Sequence, residues 1–558
     1  MTNGEVAIVF QRIADIMEIQ GENPFKVRAY RNAVRTLENM HESVEKIVAE
    51  GRLGSIPGFG DAIQAKTQDI LKTGSTPLYD KLKDQVPVGV QSMLNIPGLG
   101  VKTIRLIWET LKIETIEALE AAASDGRLQE LPGIGHKGTL KLVNSIEKYR
   151  RFSLTTRLGD ALPIAEQIVK KLHEMCSGTG IQIAGDLRRG TETVDRIELV
   201  CAEDASFSRV LHYFTTMATV SKVVSEGSSC ASVLLHNGMQ ASLTVCEPSA
   251  FGLEFLRTTG PASHVDLVLE RVVSAVKCQS PKPFLEEASV YRFADMAYIA
   301  PELRDWEDSS SAASRSLELI TIEDIRGDVH FHTTSSDGTL DIRSMAEVAR
   351  IRGYEYLAIT DHSSTLHIAN GLSPERVRKQ IREIRELEDA CGIAIFAGSE
   401  VDILADGTLD FDDELLAQLD FVIASAHLYN KQSEEDQTAR VVRAINNPNV
   451  DLIAHPTGRL INRRDPFNID MDAIIKAAAV TGTALEINAA PDRLDLKDVY
   501  ARQASEAGVK IIVNTDAHSK ADFDLMRYGI MTARRAGLTP LQVVNAWPVL
   551  DFTAWLQR

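Results

Sequence analysis

The sequence predicts a multidomain protein with a helical N-terminal region, an α/β middle part and a C-terminal distorted (β/α)7 barrel. Three observations support this. A Pro-Gly motif recurs three times before residue 150, each time between helical patterns. Short β-like runs alternate with amphipathic helices from about 150 to 300. After residue 325, seven apolar runs recur at a pitch of roughly 25–35 residues, the spacing of βα units.

Length and composition limit the number of domains and the class of protein. The chain has 558 residues, which at roughly 150 per domain predicts three to five domains. Its 44% hydrophobic and 25% charged residues exclude disordered, collagenous and disulfide-scaffold classes. No apolar run reaches the roughly 18 residues of a membrane span, and the opening segment lacks the pattern of a signal peptide. Six cysteines without CxxC pairs argue against a structural zinc site and favour a cytoplasmic protein: Cys176, Cys201, Cys230, Cys246, Cys278 and Cys391.

The charge is uneven along the chain. A formal net charge of −18 by itself argues against nucleic acid, because DNA-binding proteins usually carry a basic surface. Residues 1–150, however, hold 19 Lys and Arg against 19 Asp and Glu, so the whole deficit lies in 151–558. An acidic C-terminal part fits either a solvated surface or a metal site. Net charge therefore does not decide the partner.

The N-terminal repeat has the pattern Ile/Leu-Pro-Gly-X-Gly, and each copy precedes a helical stretch. It resembles the hairpin loop of helix-hairpin-helix motifs, in which glycines permit a tight turn and backbone N–H groups face a DNA phosphate. Alternatively, the Pro-Gly turn only joins two packed helices. The DNA-binding glycines implied by the resemblance are Gly58, Gly60, Gly98, Gly100, Gly133 and Gly135.

The seven runs of the C-terminal part each end in a polar or ionisable residue. Carboxyl ends of strands in a βα barrel meet at one face, where active sites are built. Imidazoles and carboxylates together are ligands for zinc, manganese or iron, and two or more such ions suit phosphoester hydrolysis. A lone histidine here would be interpreted as a core or loop residue, but nine His, Asp and Glu residues at matching positions favour metal. They are His330, His332, Asp337, His362, Glu400, His427, His455, Asp516 and His518.

The segments that carry these residues resemble a known family. DVHFHT, TDHS, GSEVDI, ASAH, IAHPTGR and NTDAHS are similar to the successive motifs of the polymerase-and-histidinol-phosphatase (PHP) domain, a distorted seven-stranded barrel that binds three divalent metal ions. Manganese is the metal expected for activity, with zinc or iron as alternatives. Arg459 matches a position suited to holding substrate phosphate, or is a solvent-exposed cation. The resemblance implies one ion at His330, His332, Glu400 and Asp516, a second at Glu400, His427 and His455, and a third at Asp337, His362 and His518.

The order of the parts resembles a bacterial-type family X DNA polymerase (PolX) over essentially the full chain. NPFKVRAYRNAVRTLE is similar to the opening of the N-terminal domain in that family. Lys66 stands where lyase-active relatives place their Schiff-base lysine, although a lysine on an exposed helix face is commoner. The implied domains are an N-terminal helical DNA-binding domain (1–80), a fingers-like helical domain (81–150), a degenerate polymerase palm and thumb (151–302), a polar, serine-rich linker (303–325) and a PHP domain (326–558).

The palm departs from the family pattern at its catalytic acids. In GDLRRGTETVDRIELV and GMQASLTV, Arg196, Glu198 and Ser242 occupy the positions of the three catalytic aspartates, and Asp186 replaces a serine that contacts nucleotide triphosphate. Nucleotidyl transfer needs acids that bridge two Mg²⁺ ions, and an arginine is a fixed cation. A register slip that brings in Asp195 would still leave the third ligand missing. We expect no template-directed synthesis.

The expected function is DNA repair: a metal-dependent 3′–5′ exonuclease or 3′-end phosphodiesterase. The resemblance also implies cleavage at abasic sites as a further activity. The expected partner is DNA, as gapped, nicked or 3′-ended duplex, with no membrane and no identified protein partner. One alternative is an active gap-filling polymerase with an accessory nuclease. Others are a non-catalytic DNA-binding scaffold and a small-molecule phosphatase.

Overall fold

The chain divides into two units in the computed structural model, Met1–Leu154 and Thr155–Arg558. The structure describes residues 3–557 except 39, 41–43, 57, 97, 154, 176–179, 205, 278–282 and 430. Pro57, Pro97, Cys176 and Cys278, which the sequence analysis names or includes in a motif, lie outside the described residues. The five domain boundaries stay predictions.

The first unit is helical, as predicted. Its core is formed by apolar faces such as Phe10 and Ile13 of the first helix and Ile104 and Ile107 of the seventh. The three repeats precede the fourth, seventh and ninth helices. The helices are α1 (Asn3–Ile19), α2 (Pro24–Glu38), α3 (Val44–Ala49), α4 (Asp61–Thr73), α5 (Pro77–Gln85), α6 (Val88–Ser92), α7 (Val101–Leu111), α8 (Ile116–Ser124) and α9 (Gly135–Ser153).

The second unit begins with an α/β layer. Its five-stranded sheet has the order β2-β4-β7-β6-β5, with β4 and β7 parallel and the other pairs antiparallel. A short pair, β1 and β3, lies beside it. The elements are β1 (Thr156–Arg157), α10 (Leu158–Met175), β2 (Ile181–Ala184), α11 (Gly185–Arg189), β3 (Thr193–Val194), β4 (Arg196–Ala202), α12 (Phe207–Thr215), β5 (Val220–Glu226), β6 (Cys230–Leu235) and β7 (Gln240–Cys246).

A helical segment connects this sheet to the barrel. Within the segment predicted as a linker, 303–325, Leu303, Ala312 and Ile320 are buried, and Arg304 is ion-paired with Glu287 at 2.7 Å. Apolar residues spaced through this serine-rich segment therefore pack it against its neighbours. The helices are α13 (Phe251–Thr259), α14 (Ala262–Val276), α15 (Glu287–Phe293) and α16 (Ser309–Arg315).

The C-terminal part is the predicted barrel of seven parallel strands, which pair in sequence order. The isolated bridge Phe331–Ala517 brings the two edges together, so the barrel is nearly closed. Its elements are β8 (Gly327–Asp328), α17 (Ile342–Ile351), β9 (Tyr356–Ile359), α18 (Pro374–Cys391), β10 (Ala394–Asp402), α19 (Asp413–Leu416), β11 (Phe421–Ser425), α20 (Glu434–Ile445), β12 (Leu452–Ile453), α21 (Met471–Thr481), β13 (Ala484–Asn488), α22 (Asp498–Glu506), β14 (Ile511–Asn514), α23 (Met526–Arg535) and α24 (Val549–Leu556).

The palm sheet and the barrel share a core. Ile461, Leu494 and Tyr528 of the barrel are buried in the same apolar cluster as Leu199 and Leu243 of the palm strands. The two barrel loops that leave the carboxyl ends of β12 and β13 are therefore held by the palm. None of the helices in the described part of the chain combines the length and apolarity that a bilayer crossing requires.

Candidate metal centre of the barrel

The strand ends bring the predicted ligands together. His330 and His332 follow β8, and the residues beside them, Val329 and Phe331, are buried in two different apolar clusters. Both imidazoles are fully buried, and their ring centroids lie 5.2 Å apart.

Glu400, near the carboxyl end of β10, occupies the centre of the cluster. Its Oε1 lies 3.0 Å from His455 Nε2 and 3.3 Å from His427 Nε2. Its Oε2 lies 2.7 Å from His362 Nδ1 and 3.5 Å from His330 Nε2. Because each oxygen faces a different group of imidazoles, this carboxylate connects two groups of potential donor atoms.

The remaining carboxylates, Asp516 and Asp337, lie close to other imidazoles of the cluster. Asp516 Oδ1 is 3.0 Å from His332 Nε2 and 3.6 Å from His330 Nε2. Asp337 Oδ2 is 3.5 Å from His518 Nε2 and 3.6 Å from His362 Nε2. All nine predicted positions thus belong to one connected cluster.

The acids of the cluster are held ionised. Burial opposes ionisation of Glu400, but the imidazoles of His427, His362 and His330 outweigh it and hold the pKa of Glu400 well below its usual range. Burial also opposes ionisation of Asp516, and the neighbouring imidazoles, led by His330, hold its pKa well below normal. Burial and neighbouring histidines lower the pKa of His332 to about 4. Burial opposes protonation of His330, His427 and His518, but the neighbouring carboxylates outweigh it and raise the pKa of all three, that of His518 to about 9. Divalent cations need neutral imidazoles, so metal binding would release the protons that these rings hold.

The cluster passes a test of fit for metal. Several buried atoms make no well-aligned hydrogen bond with the described residues, although two of them, His362 Nδ1 and Glu400 Oε2, lie 2.7 Å apart. The atoms are His330 Nε2, His332 Nδ1, His362 Nδ1 and Glu400 Oε2. Leaving such atoms unsatisfied is costly, so they need a further partner. Three overlapping groups have donor atoms within 4.8 Å of one another: His332, Asp337, His362 and His518; His330, His332 and Asp516; and His362, Glu400 and His427.

Two buried acids support the ligands from behind, and sequence analysis missed both. Glu486 of β13 accepts a hydrogen bond from His330 Nδ1 at 2.7 Å, which leaves Nε2 facing Glu400 and Asp516. Asp402 Oδ1 lies 3.3 Å from His427 Nδ1, and neither oxygen of Asp402 makes a hydrogen bond with the described residues. The available signal was alternation, because each acid lies two residues from a predicted strand-end residue and so shares its face.

The backbone of two ligands is strained. His455 has φ of 30° and Asp516 has φ of 55°, in the left-handed region that L-residues rarely adopt. Such conformations cost on the order of 1–3 kcal/mol and persist only where surrounding structure enforces them. Glu486 Oε2 accepts from His455 N at 2.8 Å, and Asn488 Nδ2 donates to Asp516 Oδ2 at 2.9 Å.

Arg459 is engaged inside the protein. Its Nη1 lies 2.7 Å from Glu192 of the palm, and its Nη2 donates to the carbonyl of Leu494. The residue is 9% exposed, which differs from a solvent-exposed cation. Its predicted contact with substrate phosphate stays a prediction.

The palm positions differ from a two-metal site. Glu198 of β4 pairs with Ser242 of β7, and Ser242 Oγ is hydrogen-bonded to Ser232 Oγ at 2.9 Å. Burial raises the pKa of Glu198. Arg196 begins β4 and is exposed. Every group of three or more potential ligands found in the described ranges lies in the barrel.

Arg189, which follows Asp186 in the same motif, is engaged within the protein. Arg189 is ion-paired with Asp186, donates to the carbonyl of Thr259 and lies 3.5 Å from Asp305. Asp186 is the residue that departs from the family serine. The carboxylate therefore ties up the guanidinium that neighbours it.

The repeats of the first unit form turns before helices. Gly58 and Gly98 have φ of 84° and 76°, which only glycine adopts without strain. Gly60 and Gly100 are the N-caps of α4 and α7, and neither helix has a side-chain cap, so backbone N–H groups remain open to an anion. The third copy differs, because Gly135 has φ of 54° and begins α9 itself. Lys66 Nζ donates to the carbonyl of Ala62 in its own helix.

Comparison with known families matches this architecture. The family described as helix-hairpin-helix domain matches residues 1–76, and the SAM-like helix-hairpin-helix tandem matches residues 90–148. The PHP domain family matches residues 328–490. The resemblances drawn from the repeats and from the strand-end motifs are thereby confirmed.

Similar proteins fall into two groups. The DNA polymerase/3′-5′ exonuclease PolX of Bacillus subtilis (strain 168) is 34% identical over 572 aligned positions, which cover the whole of both chains. A probable phosphatase of Thermoanaerobacter sp. (strain X514) is 31% identical over 39% of this chain and 89% of its own length. A probable phosphatase of Syntrophotalea carbinolica is 27% identical over 39% of this chain and 90% of its own length.

Proposed function

This chain belongs to the PolX family, and from that premise we propose that it is a metal-dependent DNA hydrolase that shortens DNA from 3′ ends through its barrel. The observation that carries the proposal is the buried cluster around Glu400, whose nitrogen and oxygen atoms without a well-aligned hydrogen bond fit divalent cations. The full-length relative is named as a 3′-5′ exonuclease, and the barrel relatives are named as phosphatases. Both names describe hydrolysis of phosphoesters.

Three divalent ions, with manganese the active metal, account for the nine ligands. When bound, the ions activate water and neutralise charge that develops at phosphorus. The protein's own groups prepare this arrangement. Glu400 holds two groups of imidazoles together, Glu486 fixes the His330 ring with Nε2 toward the centre, and Asp516 stays anionic at neutral pH.

The helical unit supplies the DNA-binding surface in this proposal. Open N–H groups at the starts of α4 and α7 suit phosphate contacts that are independent of sequence. Gapped, nicked or 3′-ended duplex would be held there. Cleavage at abasic sites and a lyase role for Lys66 are secondary proposals that rest on family resemblance alone.

The palm does not polymerise in this proposal. A single carboxylate, Glu198, stands where three are needed, and Arg189 already pairs with Asp186. The alternative, a gap-filling polymerase, is favoured by the name of the full-length relative. Primer extension with Mg²⁺ or Mn²⁺ separates the two.

The test uses alanine variants of the cluster. His330→Ala and Asp516→Ala should abolish Mn²⁺-dependent shortening of a 5′-labelled oligonucleotide while the circular dichroism spectrum stays that of the wild type. His367→Ala is the matched control, because this exposed histidine lies on the loop after His362 and outside the cluster. Retained cleavage in both cluster variants would refute the assignment of the site.

A further inference from the structure

Tyr429 lies on the loop that carries His427, beside the candidate metal centre. Tyr429 is the second residue after His427, so the Cα atoms of the two residues are at most about 7.6 Å apart. His427 Nε2 is 3.3 Å from the central carboxylate Glu400. Tyr429 is 49% exposed, although it is a large aromatic residue next to a buried cluster.

The backbone of Tyr429 is strained. Its φ is 59°, a left-handed conformation that is uncommon for a bulky residue. Such strain requires support from the surroundings and is concentrated at functional sites. His455 and Asp516 at the same mouth share this feature.

Arg440 of α20 provides that support. It is 1% exposed, and its guanidinium donates to the carbonyl of Leu428 at 2.9 Å and to that of Ile403 at 2.8 Å. Gln432 closes the loop, since its side chain accepts from Arg440 at 3.1 Å and donates to the carbonyl of Ala405 at 2.8 Å. A buried cation therefore fixes the position of the loop from below.

The ring of Tyr429 contacts the Arg440 guanidinium, which lies 5.8 Å from the ring centroid, within the range of a cation–π interaction. This contact leaves the side chain 49% exposed. The exposed part of the ring is therefore open to a substrate that approaches the loop of His427.

We propose that Tyr429 is a stacking platform for a nucleobase, which receives the base of the 3′-terminal nucleotide while its phosphodiester enters the cluster. Aromatic side chains bind nucleobases of any sequence by stacking. A phosphatase for small phosphate esters needs no such surface, so the ring specifies a nucleic acid substrate. This inference rests on the proposed function, since it assigns the substrate end to the same site.

The test combines loss of the ring with loss of the base. Tyr429→Ala and Tyr429→Phe are compared with wild type on two 5′-labelled single strands. One ends in a normal 3′ nucleotide and the other in a 3′ tetrahydrofuran residue that lacks the base. A dinucleotide of two tetrahydrofuran residues serves as a small diester without a base or any other aromatic group, and bound manganese per chain is measured for each protein.

On the normal strand, Tyr429→Ala should lower kcat/KM by about 5- to 150-fold, and Tyr429→Phe should retain most of it. On the base-free strand and the small diester, wild type and Tyr429→Ala should agree within about twofold, with equal manganese content. An equal loss on all three substrates would overturn the proposal, because the residue would then act through His427. No loss on the normal strand would also overturn it.

A binding measurement separates this proposal from the proposed function. A strand that ends in 3′-terminal 2-aminopurine reports stacking by quenching of its fluorescence. Wild type and Tyr429→Phe should quench it, and Tyr429→Ala should not. If wild type cleaves no DNA but wild type and Tyr429→Phe still quench the fluorescence and Tyr429→Ala does not, the proposed function is wrong and the stacking platform is supported. Equal quenching by wild type and Tyr429→Ala overturns the platform alone.

Discussion

Glu486→Gln is the most informative single substitution for testing how buried acids support the candidate metal centre. The carboxylate is fully buried and faces four donors. Oε1 accepts from His330 Nδ1 at 2.7 Å and from Asn514 Nδ2 at 3.0 Å, and Oε2 accepts from His455 N at 2.8 Å and from Asn488 Nδ2 at 3.5 Å. Glutamine has nearly the same shape but only one acceptor oxygen. In one orientation its NH₂ faces His455 N–H, and in the other it faces His330 and Asn514.

At least one buried donor is therefore left unsatisfied, which costs about 1–3 kcal/mol. The His330 ring also loses its charged partner, and loss of such a partner typically weakens metal binding about 10- to 100-fold. We expect the metal-free protein to lose 1–3 kcal/mol of unfolding free energy, and manganese affinity to fall by about one to two orders of magnitude.

Urea unfolding of metal-free protein measures the first effect, and competition with a chelator of known affinity measures the second. Glu347→Gln is the control, because Glu347 is a surface residue paired with Arg350. Unchanged stability together with unchanged manganese affinity would refute the role assigned to Glu486.

Three further predictions concern the second unit. Glu287→Ala should cost about 3–5 kcal/mol of unfolding free energy, because it leaves the fully buried Arg304 without its partner; a loss below about 1 kcal/mol in urea unfolding would contradict this. Glu192→Ala and Arg459→Ala should each raise KM for DNA by the same factor, and the double variant should raise it no further, because the two side chains act as one ion pair. An effect of Arg459→Ala alone would indicate direct phosphate contact. Burial and then the charge of Arg304 lower the pKa of His264 to about 4 from its usual 6.5. Since the unfolded chain then binds more protons between those values, stability should fall as pH decreases from about 6.5 to 4, by on the order of 2–3 kcal/mol, and His264→Gln should flatten the pH dependence of the urea midpoint.

The sequence predicted the barrel and its ligands because both follow local rules. Parallel strands that are buried on both faces leave apolar runs, and the residue that ends each run must lie at the mouth. Glu400, at such a run end, could therefore be assigned before its neighbours were known. The helical unit could be predicted equally well, since each repeat contains its own turn and helix.

The features that could not be predicted from the sequence depend on contacts between distant segments or on the conformation of a folded loop. Glu486 lies inside an apolar run, and only the fold shows that it faces His330, 156 residues earlier in the chain. Arg459 pairs with Glu192 of the palm, a contact that no spacing in the HPTGR motif indicates. The packing of segment 303–325 was also not indicated, because its serine-rich composition does not show which few apolar residues are buried. Tyr429 could not be singled out because backbone strain and exposure are properties of the folded loop.

The central claim is that the barrel hydrolyses DNA 3′ ends while the palm is silent. The most direct measurement incubates a 5′-labelled gapped primer–template with manganese-loaded protein, with and without all four dNTPs, for wild type and His330→Ala. The account predicts primer shortening by wild type alone, neither reversed nor extended by dNTPs. Primer lengthening would contradict the silent palm, and an unshortened primer with metal-loaded wild type would contradict the hydrolase.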